Sequence, residues 1–109
     1  MKKLIITNNS TIKESLLRLE KNSQKCLMVV NNNDNFLGTL TDGDIRRALI
    51  DNKNFSELKA KDLMNTNPLT ALESDNLQVA EKRMREAKVQ CLVVKNPINE
   101  VVGVIQIFE

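Results

Sequence analysis

The sequence predicts a mixed α/β fold made of two copies of one βαββα unit, the second copy cut short before its last helix. Three observations carry this prediction. A shift of 65 residues lays the second half on the first: Lys25-Cys26-Leu27-Met28-Val29-Val30 falls on Gln90-Cys91-Leu92-Val93-Val94-Lys95, Gly38 on Gly103, Ile12 on Leu77, Ser15 on Ala80 and Leu19 on Met84. The runs CLMVV and CLVV are short, continuous and apolar, as strands covered on both faces are. Between such runs, apolar residues recur at helical spacing. A copy of about 50 residues cannot bury a sheet face alone, so two copies should pack sheet to sheet about a pseudo-two-fold axis. That packing leaves two equivalent clefts. The copies are taken as residues 1–58 and 59–109 of one module.

In chain order, Leu4-Ile5-Ile6 is a short strand. A helix follows from Thr11 to Lys21, with Ile12, Leu16, Leu19 and, less regularly, Ser15 recurring at helical spacing and Thr11 to Glu14 spaced as a capping box. Cys26–Val30 is a strand, Asn31 to Asn35 a turn by composition, and Phe36 to Thr41 the next strand. Asp44 to Asn52 is a helix. The connector from Asn54 to Thr66 holds a short helical turn at Ser56–Lys59, followed by Lys61-Asp62-Leu63-Met64, and Pro68 ends it, since the residue before a proline is pushed to an extended conformation. Leu69 to Leu72 is a strand, and Asp75 is placed to cap a helix with apolar positions Leu77, Ala80, Met84 and Ala87. Cys91–Val94 is a strand, Asn96 to Asn99 a turn, and Val101 to Phe108 the last strand.

Composition narrows the function classes. The chain of 109 residues is 41% hydrophobic and 28% charged, with a formal net charge of +2. That charge is too small and too scattered to argue for nucleic acid or an acidic membrane. With no Trp or Tyr and three Phe, base-stacking platforms are nearly lacking. No apolar run reaches the roughly 18–20 residues of a membrane span, and the first ten residues lack a signal-peptide apolar region. A cytoplasmic protein is expected. Cys26 and Cys91 both sit in apolar runs, a setting that favours small buried hydrophobes over a disulfide or redox pair. With no histidine, no Gly-rich phosphate loop and no metal-ligand spacing, the sequence argues against catalysis and against a metal site.

The chemistry gathers at Gly38-Thr39-Leu40-Thr41-Asp42-Gly43-Asp44-Ile45-Arg46-Arg47, a strand that turns into a helix. Backbone N–H groups are unpaired at such a corner, which favours an anion. A hydroxyl and a carboxylate three residues apart, followed by two arginines, can hold a sugar hydroxyl and a phosphate together. The plainer reading is an N-cap, with Thr41 or Asp42 closing the first turn.

The duplicated pattern resembles a tandem CBS domain pair, the Bateman module, over essentially the whole chain. GTLTDGDIRRAL in the first copy, KDLMNTNPLTAL at the start of the second, and the paired CLMVV and CLVV strands carry the resemblance. Gly38, Thr41 and Asp44 match the family signature of glycine, two apolar or small residues, Thr or Ser, two residues, then Asp. The resemblance implies a nucleotide, usually adenosine-containing, in a cleft between the copies, such as AMP, ADP, ATP or a nucleotide-sugar. It assigns Thr39, Thr41 and Asp44, with Arg46 or Arg47, to ribose and phosphate. It assigns Asn65, Leu69, Thr70, Val89, Gln90 and Cys91 to the base wall. In the second cleft Gln106 replaces Thr41 and Glu109 replaces Asp44, opposite Ile5, Gln24, Lys25 and Cys26. That cleft should be weaker, altered in ligand, or empty.

The wording TDGDIRRAL is similar to that of pairs attached to bacterial sugar-phosphate enzymes: the N-terminal pair of sugar-phosphate nucleotidyltransferases and the C-terminal pair of arabinose-5-phosphate isomerases. Met1, with almost no leader, favours the first setting. The helix equivalent to Asp44–Asn52 is missing after Glu109, so either the sequence is a piece of a longer protein or a partner chain covers that end. The leading expectation is a regulatory module for an attached enzyme, with no catalytic cofactor, and a homodimer is expected through the family. The alternative is a structural dimerisation or spacer element with vestigial clefts. Intact Thr41 and Asp44 favour the first, and Gln106 and Glu109 the second.

Overall fold

Two apolar strands with turn-rich flanks, each led by an amphipathic helix, dictate two small sheets of the same topology. The computed structural model describes residues 4–21, 25–51 and 54–107. The chain divides into two compact units, Met1–Asn67 and Pro68–Glu109.

The first unit runs β1 (Ile5–Thr7), α1 (Ile12–Lys21), β2 (Cys26–Val30), β3 (Phe36–Thr41), α2 (Asp42–Ile50), a 3-10 turn (Phe55–Glu57) and α3 (Ala60–Leu63). Its sheet has the order β1-β2-β3. β1 lies parallel to β2, which requires a crossover that α1 supplies, and β2 lies antiparallel to β3. As the central strand, β2 is buried at all five positions, which explains its unbroken apolar run. Ile6, Ile12, Leu19, Leu27, Val29, Leu40, Ile45 and Ala60 form the core, with Phe55, Leu58, Leu63 and Met64 packed against it. The segment after α2 therefore belongs to the first unit.

The second unit runs β4 (Thr70–Leu72), α4 (Leu77–Ala87), β5 (Cys91–Lys95) and β6 (Val101–Gln106), with sheet order β4-β5-β6. Ala71, Ala80, Met84 and Leu92 form its core, lined by Leu69, Val94, Ile105 and Ile107.

The 65-residue shift holds bond for bond. Ile5 faces Met28 and Thr70 faces Val93; Leu27 faces Leu40 and Leu92 faces Ile105. A bulge falls between Val29 and Val30, and again between Val94 and Lys95. In each hairpin turn one Asn side chain accepts two backbone N–H groups: Asn31 from Asn33 and Asn35, Asn96 from Ile98 and Glu100. Left-handed residues stand at the same step, Asp34 (φ 61°) and Asn99 (φ 68°). Even the anchor on the first strand repeats, with Arg18 donating to the Ile5 carbonyl at 2.8 Å and Arg83 to that of Thr70 at 2.9 Å.

Several expectations need correction. α2 begins at Asp42, two residues before the predicted Asp44, because Thr41 caps it; Asn52 lies outside the described residues. Asp75 does not cap α4. Its carboxylate accepts the Leu72 N–H, while Asn76 accepts from Gln78 and Val79 and is the cap. Phe108 also lies outside the described residues, and β6 ends at Gln106. Both cysteines are buried, as their apolar runs predict, but neither is a free thiol: each is disulfide-bonded. The flanks gave no sign of this, because a half-cystine and a small buried hydrophobe want the same surroundings.

Candidate functional site at the β3–α2 corner

At the end of β3 the Thr41 backbone is extended (φ −117°, ψ 163°), and its hydroxyl accepts the Asp44 N–H at 3.1 Å. Asp44 answers by accepting the Thr41 N–H on Oδ2 at 2.9 Å. This reciprocal capping box satisfies two helix-end donors at once. Asp44 Oδ1 accepts from Arg47 at 2.6 Å, with the carboxylate 15% exposed and the arginine 68% exposed. Arg46 points elsewhere, to Asp42 at 3.3 Å, and both of those side chains are about two-thirds exposed.

The plain cap and the binding corner thus use the same two residues. A carboxylate offers about four lone-pair sites, and two N–H donors leave roughly half of them open. Asp44 is therefore held rigid at a helix N-terminus, where charge is favoured, with acceptor capacity to spare. Arg47, largely in solvent and one turn away, is the arginine beside Asp44. The sequence motif left Arg46 and Arg47 equivalent; their i+2 and i+3 spacing from Asp44 separates them.

One strand step earlier the chain is crowded. Thr39 is 3% exposed, and its backbone pairs with Asn65, donating at 3.0 Å and accepting at 2.7 Å. A Cβ on Gly38 would stand 2.5 Å from the Asn65 carbonyl oxygen, so only glycine fits there. Asn65 lies beside the corner, its own side chain accepting the Asn67 N–H. The structure thus pairs Thr41 with Asp44 at the corner, and Thr39 with Asn65 two residues before it on the same strand.

The remaining predicted residues lie in the second unit or at the other sheet ends. Leu69 and Thr70 stand at the start of β4, and the Leu69 carbonyl accepts the Val93 N–H. Val89, Gln90 and Cys91 lead into β5; Val89 donates to Met84 and Gln90 accepts from Ile107. These five residues share one end of the β4–β5–β6 sheet. At the matching end of the first sheet are Ile5, Lys25 and Cys26, expected for the second cleft. Gln106 ends β6 opposite Cys91. Gln24 and Glu109 lie outside the described residues. Among the described residues no group of three or more Cys, Asp or Glu could hold a metal ion, and no helix is long and apolar enough to cross a membrane.

A model of the CBS domain matches residues 1–51 and 60–107. Arabinose 5-phosphate isomerase KpsF of Escherichia coli is 30% identical over 101 residues, covering 93% of this chain and 31% of that enzyme. A probable arabinose 5-phosphate isomerase of Haemophilus influenzae is 38% identical over 96 residues, 78% of this chain and 28% of that protein. The chain thus spans about a third of the length of these relatives. A CBS domain protein of Pyrobaculum aerophilum, solved with AMP, superposes with a TM-score of 0.81 at 26% identity, covering 94% of this chain and 79% of that one. A CBS domain pair solved with 5′-methylthioadenosine and S-adenosyl-L-methionine gives 0.77 at 26% identity, over 95% and 86%.

Proposed function

Because the chain belongs to the CBS domain family, we propose that it is a ligand-sensing module that binds an adenosine-type nucleotide through the β3–α2 corner and adjusts an attached sugar-phosphate enzyme. The observation that carries this reading is the Asp44 carboxylate, fixed by Thr41 and Arg47 yet only half used. In the reading, Asp44 accepts from the ribose hydroxyls, while Thr41 and the α2 N-terminus face phosphate. Arg47 releases Asp44 and follows the phosphate, and Arg46 adds charge. Asn65 and Thr39 border the sugar, and Leu69, Thr70, Val89, Gln90 and Cys91 are proposed for the base, as the family resemblance assigns them.

The two isomerase relatives support an enzyme of the isomerase kind as the attached partner, the second of the two settings the sequence suggested. Regulation requires that the ligand bind one arrangement of that enzyme better than another. A homodimer and a cytoplasmic location belong to the same proposal.

The test is a thermal-shift screen of the chain against AMP, ADP, ATP, S-adenosyl-L-methionine and nucleotide-sugars. A ligand at 100 times its dissociation constant adds about 2.7 kcal/mol of stability. Asp44→Asn keeps an acceptor for the Thr41 N–H but removes the charge, so it should retain most of the melting temperature and lose the ligand shift. A second reading, a structural spacer with vestigial clefts, is favoured by Gln106 at the position matching Thr41. It wins if no nucleotide moves the melting temperature of the folded chain.

A further inference from the structure

The outer edges of β3 and β6 are the same edge in two copies, and among the described residues only that of β3 is covered. Residue 39 pairs with residue 28 and residue 104 with residue 93, so Val104 occupies the register position of Thr39. At that position on β3 the main-chain N–H and C=O point away from β2, and both are taken by Asn65. The segment Leu63-Met64-Asn65 runs tightly over Gly38, with the Asn65 carbonyl and the Met64 sulfur among the atoms nearest to where a Cβ would stand. On β6, a Cβ at Gly103 meets nothing within 4 Å. Among the described residues nothing pairs with the outward N–H and C=O of Val104. Val102, next along the same edge, is 41% exposed. An unpaired edge beside a glycine is a template for an added strand.

We propose that the outer edge of β6 at Gly103–Val104 is a docking site for an extended peptide segment of the Leu-Met-Asn type. The occupant pairs through two main-chain hydrogen bonds with Val104 and lays its backbone over Gly103. The molecule itself supplies the argument for that occupant. Its first unit has the same register and the same glycine, and carries this sequence at the equivalent place. Gly103 keeps clear the space that such a backbone needs. In the first unit that space is filled, with the Asn65 carbonyl oxygen 2.5 Å from where a Cβ on Gly38 would stand. Two main-chain bonds and one apolar contact support only about millimolar affinity when the peptide is free, so the partner is expected to be tethered or locally concentrated.

The test adds a synthetic peptide of residues 61–67 to the full chain and follows backbone amides by NMR. The expected result is a saturable shift at Gly103 and Val104. Exchange of the Val104 amide should slow about tenfold when the peptide is at ten times its dissociation constant. A peptide carrying Asn65→Pro, which lacks the N–H donor, should give neither effect. Gly103→Ala should leave the melting temperature of the chain unchanged and abolish the response, because its methyl group fills only the docking space. No shift at Val104 up to the peptide's solubility limit would overturn the proposal, as would a response that survives Gly103→Ala. Protection of Val104 that needs no peptide and rises with protein concentration would overturn it too, assigning the edge to a second copy of the chain.

Discussion

The β3 end of the first unit and the β6 end of the second share register, bulge position and hairpin turn, yet they differ in polar equipment, with Gln106 and Glu109 at the positions of Thr41 and Asp44. Gly38 is packed under Asn65, Thr41 caps α2 and Asp44 holds Arg47; at the matching positions Gly103 is open and Gln106 replaces the hydroxyl. The comparison separates two kinds of constraint. The strand pattern is set by which faces are buried, and a one-residue slip would turn the whole apolar set outward, so both copies keep it. The corner is set by two polar side chains that the core does not need, so one copy can exchange them for Gln106 and Glu109 and still fold.

The largest effects test the shared part. Leu27→Ala and Leu92→Ala, both fully buried at paired positions, should each cost about 2–5 kcal/mol in urea unfolding. A large cost in one copy alone would break the equivalence of the two cores. The glycines should then divide the copies. Gly38→Ala pushes on backbone that cannot swing aside and should cost about 1–3 kcal/mol. Gly103→Ala, with open space around it, should stay within about 0.5 kcal/mol of the parent chain. Equal costs would mean that the β6 edge is covered after all.

Below the cost of Gly38→Ala, Thr41→Ala removes a cap and should cost about 1 kcal/mol by the same assay. It should also lose the ligand-dependent rise in melting temperature, measured from the variant's own baseline. Arg46→Ala breaks only an exposed pair with Asp42 and should change stability by less than about 0.5 kcal/mol.

Much of this was legible in the sequence. The repeat placed β2, β3, β5 and their partners, because buried strands must keep an apolar pattern and the pattern occurs twice. The helix starts were harder to read. Asp42-Gly43 looks like turn chemistry, but Thr41 reaches the Asp44 N–H and draws both residues into α2. The α4 cap stands one residue beyond its predicted position, although the repeat contained the answer. The Thr11 hydroxyl accepts the Glu14 N–H, and 65 residues on Asn76 accepts from Val79. Asn65 on the β3 edge left almost no trace, since an isolated bridge has no periodicity; Gly38 was its one signal. The double duty of Asp44 was also hidden, because a capping box and a ribose-binding motif ask for the same residues at the same spacing.

The most direct test of the account is an AMP titration of the chain followed by backbone amide NMR. The account predicts saturable shifts centred on Thr41 to Arg47, at concentrations where the amides at the end of β6 around Gln106 respond weakly or not at all. Shifts that begin at the β6 end, or a spectrum unmoved at the α2 N-terminus, would contradict it.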